Sequence, residues 1–112
     1  MGKLPVMKGT LDVLVLKALA WGPMHGFEVA AWLEQQSQGT LILDDSGLYQ
    51  SLYRLEGKSL VSADWGVTEH NRRARYYRLT RQGRAHLVRE TAVWQRYATT
   101  VTGILAVPEP AR

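Results

Sequence analysis

The chain has 112 residues, no cysteine, 46% hydrophobic residues and a formal charge of +4, from 14 Lys and Arg against 10 Asp and Glu. A chain this long makes one domain with one modest core, and without cysteine it has neither a disulfide framework nor a thiolate metal site. Its best apolar run, Leu11–Ala20, is interrupted by Asp12 and Lys17 and falls short of the roughly 20 residues a membrane span needs, and no basic-then-apolar leader opens the chain, so a cytoplasmic location with no membrane partner is expected.

Thr10 can cap a first helix, in which Leu11, Leu14, Val15, Ala18 and Leu19 fall on one face. Gly22-Pro23 stops it. A second helix is predicted from Gly26 to Ser37, with Val29, Ala30 and Leu33 inward and Gly39 at its end. Leu41–Leu43 reads as a brief strand. Asp44, Asp45 and Ser46 are successive N-cap candidates for a third helix, with Leu48, Leu52 and Leu55 on its apolar side. Its other side carries Tyr49, Gln50, Ser51, Tyr53 and Arg54. The period then becomes strand-like: Val61, Ala63 and Trp65 share a face, and Arg75–Leu79 alternates again. An antiparallel hairpin with a long basic loop over Gly66–Ala74 is the simplest arrangement. Thr80 can cap a last helix running to about Ala106, about 39 Å at 1.5 Å per residue.

That last helix carries Leu87, Thr91, Trp94, Ala98, Val101 and Leu105 at spacings of 4, 3, 4, 3 and 4, a heptad seam. Val93, Tyr97 and Ile104 form a second stripe. Three short helices cannot cover both, so the spacing predicts a homodimer joined through the last helices.

Charge is unevenly placed. Residues 1–69 hold five basic and eight acidic side chains, whereas residues 70–112 hold nine basic and two acidic, all nine being arginines. Arg engages phosphates bidentately, so the second segment suits a polyanion. Three helices followed by a basic hairpin is the winged helix-turn-helix order. The predicted fold is mainly α with a small β-hairpin, a winged helix-turn-helix plus a long C-terminal dimerisation helix. Residues 1–80 form the DNA-binding region, 81–107 the dimerisation helix of the same domain, and 108–112 a tail. On the third helix Gln50 can pair with adenine, Arg54 with guanine or phosphate, and Ser51 with either, while Tyr49 and Tyr53 suit phosphates and sugars. Arg72, Arg73 and Arg75 of the hairpin suit the backbone or minor groove. His25 at the start of the second helix suits a phosphate, and Lys8 the flanking backbone.

Four segments together resemble the PadR family of transcriptional regulators, short branch: Lys8–Leu16, His25–Val29, Leu48–Glu56 and Arg72–Thr80, with Gly83 following. The resemblance implies a dimeric winged-helix DNA-binding protein, usually a repressor of a pseudo-palindromic operator released by a small molecule, with the last helix as dimer interface. Gln50 stands where many members have Pro, and Ser46-Gly47 where Gly then Ser or Thr is common. Trp94, on the seam, would lie near its symmetry mate. It either packs the dimer or helps form a slot for a planar aromatic effector, as in the multidrug-binding members.

No nucleophile–base spacing, Gly-rich phosphate loop or His cluster with ligand spacing is present. No enzyme activity, cofactor or metal site is expected. Glu56 and Asp64 are expected to pair with nearby basic groups, and Trp21, Trp32 and Trp65 to pack in the core or at its edge. A winged-helix module binding RNA or an acidic protein is the alternative function.

Overall fold

The apolar stripes of three short helices meet in one core, closed on its far side by a three-stranded sheet. A computed structural model of the chain describes residues 2–7 and 9–111. Lys8, the candidate for flanking DNA, lies outside the described residues, as do Met1 and Arg112.

Strand β1 (Leu4–Pro5) leads into helix α1 (Leu11–Leu19), and strand β2 (Met24–His25) leads directly into helix α2 (Gly26–Gln36). Strand β3 (Leu41–Ile42) runs parallel to β1. Helix α3 (Asp45–Gly57) follows, then strands β4 (Val61–Val67) and β5 (Arg73–Leu79), and helix α4 (Arg81–Leu105) ends the fold. The sheet order is β2-β5-β4, antiparallel throughout.

Side-chain chemistry fixes the helix starts. The Asp44 carboxylate accepts from the Gly47 N–H at 3.2 Å and caps α3. The Thr80 hydroxyl accepts from the Gly83 N–H at 2.9 Å and caps α4. Each cap satisfies a backbone donor that the first helical turn leaves free. Thr10 has no capping side-chain bond to α1. Its hydroxyl donates to the Met7 carbonyl instead.

Val15, Leu16, Ala18 and Leu19 of α1 pack with Val29 and Leu33 of α2 and with Leu48, Leu52 and Leu55 of α3. Leu60, Val61, Tyr77 and Leu87 complete the core. Helix α4 crosses the start of β4 at Gly83, where a β-carbon would overlap the Leu60 carbonyl oxygen.

Three features differ from the sequence reading. The hairpin connection is shorter than Gly66–Ala74: β4 and β5 pair as far as Val67 and Arg73, because backbone pairing continues where polar side chains show no alternation. Leu87 is 8% exposed and belongs to the protomer's own core, because the first two turns of α4 lie on the domain. Trp21 and Trp65 are exposed on the surface. Trp32 does pack partly against the core, and the Trp21 ring lies 6.4 Å from it.

Beyond Leu87 α4 buries no further residue; it flanks the start of α1 as far as Tyr97 and then runs free, and the molecule reaches 66 Å in its longest dimension. Val93, Trp94, Tyr97, Ile104 and Leu105 are all exposed along this stretch, Leu105 at 79%. No described helix is long and apolar enough to cross a membrane.

Candidate nucleic-acid interface

Helix α3 buries Leu48, Ser51, Leu52 and Leu55. At 100° per residue, the opposite side centres on Ser46, Gln50 and Tyr53, with Tyr49 on one flank and Arg54 on the other. Tyr49, Gln50 and Tyr53 are exposed, and Tyr53 is 73% accessible. The Ser46 hydroxyl donates to Asp44 Oδ2 at 2.6 Å. That bond and the Gly47 N–H hold the Asp44 carboxyl below its ordinary pKa.

Ser51 is not part of this surface. It is 0% exposed, and its hydroxyl donates to Asp12 Oδ1 of α1 at 2.6 Å. It sits inside the Leu48–Leu52–Leu55 stripe, so it serves the α1–α3 contact. Arg54 is partly withdrawn as well. Its Nη2 donates to Asp12 Oδ1 at 2.7 Å and its Nε to Asp12 Oδ2 at 3.3 Å. Burial pushes the Asp12 carboxyl up, but the bonds from Arg54 and Ser51 outweigh it, so its pKa lies below the ordinary value. The same pair raises the Arg54 guanidinium.

Tyr49 leans the other way, onto α2. A β-carbon on Gly26 would come within 2.7 Å of the Tyr49 ring, so glycine at the head of α2 is what lets the ring lie there. His25 caps that helix. Its Nδ1 accepts from the Glu28 N–H at 3.2 Å, while Glu28 Oε1 accepts from the His25 N–H at 3.1 Å, a reciprocal capping box. With Nδ1 accepting, the neutral ring carries its proton on Nε2. The ring stands edge-on to Tyr76 at 5.3 Å.

Five residues, Thr68 to Arg72, form the hairpin tip. The Thr68 hydroxyl accepts from the N–H groups of His70 and Arg72, and Asn71 adopts φ 60°, the left-handed conformation that Asn tolerates. Arg72 and Arg73 are exposed. The Arg73 guanidinium stacks 4.5 Å above the Trp65 ring, a cation–π contact. Arg75 instead grips Glu56, with Nη2–Oε2 at 2.8 Å and Nη1–Oε1 at 3.2 Å. That bond raises the Arg75 pKa and ties the hairpin to the end of α3. Asp64 pairs with Arg78 at 2.9 Å.

Tyr49, the head of α2 and the hairpin enclose an open cleft of about 1260 Å³. His25, Tyr49, Arg72, Arg73 and Arg75 all line it. So do Phe27, Trp65, Thr68 and Tyr76, none of them among the residues expected to contact DNA. Phe27 is 77% and Trp65 60% exposed. Such placement leaves a signal in sequence only when a helix start and a hairpin tip are known to face each other. Gln50, Tyr53 and Arg54 do not line the cleft and lie along α3 beside it.

Of the seam residues, Trp94 lines a second groove of about 470 Å³ between the start of α1 and α4, with Asp12, His86, Glu90, Val93 and Tyr97. The Trp94 and Tyr97 rings lie 6.3 Å apart. The Thr91 hydroxyl donates to the Leu87 carbonyl. Ala98 and Val101 are half-buried. No cluster of described His, Asp and Glu residues could hold a metal ion.

Residues 15–89 match the family described as the PadR-like family of transcriptional regulators. A protein from Streptococcus mutans has a similar structure at 27% identity, with a TM-score of 0.79 over 97% of this chain and 98% of that one. A PadR family transcriptional regulator from Eggerthella lenta is also 27% identical, with a TM-score of 0.73 over 90% of this chain and 86% of that one. An uncharacterised transposon protein of Streptomyces fradiae is 44% identical over 70% of this chain, which spans only 21% of its length. The helices, the hairpin and the family match over most of the chain agree, and the protein belongs to the PadR-like family of transcriptional regulators.

Proposed function

We propose that this regulator acts as a homodimer that binds double-stranded DNA at a pseudo-palindromic operator, as a repressor released by a small-molecule effector. Residues 1–80 would hold the DNA and residues 81–107 the partner protomer. Helix α3 would enter the major groove, with Gln50 reading a base edge and Tyr53 beside it. The cleft would take the sugar-phosphate strand between the major groove and the hairpin. Tyr49, His25 Nε2, Arg72 and Arg73 would supply donors and charge there, and Phe27 and Trp65 would pack on sugars. The observation that carries the proposal is this shared cleft: the exposed arginines of the hairpin face the same space as the exposed edge of α3.

The exposed apolar length of α4 supports the dimer. A helix of this kind rarely stays in water when a second copy can cover it. Groove residues Trp94 and Tyr97 would then meet the partner, and a planar aromatic effector would sit against them.

Selection of bound duplexes from a random pool, followed by binding over a range of salt, tests the proposal. A pseudo-palindrome with half-sites about 10 base pairs apart, or a multiple of that, is expected. Affinity should fall steeply with salt as counterions are released. Equal binding to every duplex would remove the sequence-specific role. The exposed Phe27 and Trp65 also suit unpaired bases, so structured RNA belongs in the competition. Preference for RNA over the selected duplex would replace the DNA reading.

A further inference from the structure

Helix α3 spans Asp45–Gly57, and Arg54 is its one basic residue. That single cation is already held. Asp12 of α1 receives two N–H groups of its guanidinium, and the same carboxylate receives the buried Ser51 hydroxyl. The outer face of α3 that remains, Ser46, Gln50 and Tyr53, is uncharged. Exposed cationic charge lies instead on Arg72 and Arg73 of the hairpin.

We infer that Asp12 is a specificity-determining residue for DNA recognition, which withholds Arg54 from the phosphate backbone so that α3 discriminates between sequences through neutral groups. The inference rests on the DNA-binding role proposed above. Phosphate contacts carry no sequence information and strengthen every complex alike. An arginine free on the flank of α3 would therefore add to binding of random duplex and of operator together, and the ratio between them would gain nothing. Asp12 takes the Nε–Nη2 edge of the guanidinium, and for that edge to fork a phosphate Arg54 must leave Asp12. That would expose a partly buried carboxylate, with side-chain accessibility 29%, beside a polyanion. Both the lost charge-assisted bonds and the new repulsion oppose the move.

Asp12 is a positioning residue and touches no base itself. Ser51 explains why it is held so firmly. A buried hydroxyl needs a partner, and Asp12 supplies it from the neighbouring helix. One carboxylate thus orients α3 on α1 and occupies the helix's only cation.

The test measures fluorescence anisotropy of the selected operator duplex and of a random-sequence duplex of equal length, from roughly 50 to 300 mM KCl, for the native protein, R54Q and D12N. With Arg54 withheld, R54Q keeps the native salt slope on both duplexes. D12N retains a polar partner for Ser51 and removes the charge and one of the two oxygens that hold Arg54. Its slope on random duplex should steepen by about one unit per protomer, its random-duplex affinity should rise about threefold or more, and the operator-to-random ratio should fall. Adding R54Q to D12N should cancel the gain. A merely structural role would weaken both duplexes together and leave the slope unchanged.

An R54Q slope shallower by about one unit per protomer would overturn the inference, because Arg54 would then already contact a phosphate. A folded D12N with native slope and native ratio would also overturn it. Both results leave the DNA-binding role intact. If D12N does not fold, the half-exposed Arg54 still gives R54Q as a complete test. A native protein that binds no duplex at any salt would remove the DNA-binding role and this inference with it.

Discussion

The Tyr49 ring rests on the α-carbon of Gly26, in the space a β-carbon would occupy. Helix α3 and the head of α2 are in register at this point, and the contact sets where the Tyr49 hydroxyl meets the cleft. In Gly26→Ala the ring must swing away. It is half exposed, so the move is easy, and alanine favours a helix by up to about 1 kcal/mol over glycine. Thermal stability should therefore hold or rise slightly, while operator affinity falls about fivefold, the worth of one ordinary hydrogen bond. Melting and anisotropy on the same sample check this. Unchanged affinity would show that the ring's position has no part in binding.

Gly83→Ala is the contrasting case. Its new methyl would strike the backbone carbonyl of Leu60, which cannot step aside as a side chain can. Overpacking of backbone against backbone should cost about 3 kcal/mol or more. Gly103→Ala, also in α4, meets nothing within 4 Å and should stabilise by at most about 1 kcal/mol. Chemical denaturation of the two variants beside the native protein measures the difference.

Acid should loosen the α1–α3 contact. The Asp12 carboxyl is lowered from its ordinary 3.8 by Arg54 and Ser51 against the opposing effect of burial. A folded-state pKa below the unfolded one gives stability that is present above the unfolded value and lost as pH falls through the folded value. The melting temperatures of native protein and D12N should thus differ at neutral pH and converge below about pH 4. Asp44, also lowered, contributes to the same acid limb in both proteins. A constant gap down to the acid limit would show that Asp12 stabilises through its shape and not its charge.

Charges on the free length of α4 test the partner. Ile104 and Leu105 are exposed in the protomer, so I104D and L105D should leave an isolated protomer about as stable as before. In a dimer joined through this stretch each would bury two unpaired carboxylates, and dissociation should become easier by about a hundredfold or more. Sedimentation over a range of concentrations reads this directly. On the same helix, quenching of tryptophan fluorescence by a planar dye should be lost in Trp94→Ala while the dimer persists. Quenching that survives the substitution would place the dye elsewhere.

Much of this architecture is readable from local chemistry. Asp44 and Thr80 announce two helix starts, and the alternation from Val61 to Trp65 and from Arg75 to Leu79 announces a hairpin. The site is less readable, because its residues take their roles from distant partners. Ser51 looks like part of a polar helix face. Its acceptor lies 39 residues away in α1, and no spacing within α3 reveals it. Leu87 fits a heptad seam as well as it fits an ordinary amphipathic turn, and the two patterns diverge only further along. The two-residue pairing of β1 with β3 rests on backbone bonds that side-chain periodicity cannot register. Trp65 alternates correctly with Val61 and Ala63, yet the sheet extends past the core before it is reached, so the same face that is buried at one end is open at the other.

Thr80 joins three elements through few atoms. Its hydroxyl donates to the Ser59 carbonyl at 2.7 Å and accepts from Gly83, while its own N–H donates to the Leu60 carbonyl. With Gly83 pressed on the same Leu60 peptide, the root of α4 has no room to pivot. A tilt imposed far along that helix therefore loads the root of the hairpin directly, through the Ser59 and Leu60 carbonyls. A tilt of about 5° about Thr80, over the roughly 38 Å of the helix, moves its far end by about 3 Å, and a hairpin that followed rigidly would turn its arginine-bearing tip through the same angle. Helix and hairpin are thus two arms set on one anchored root.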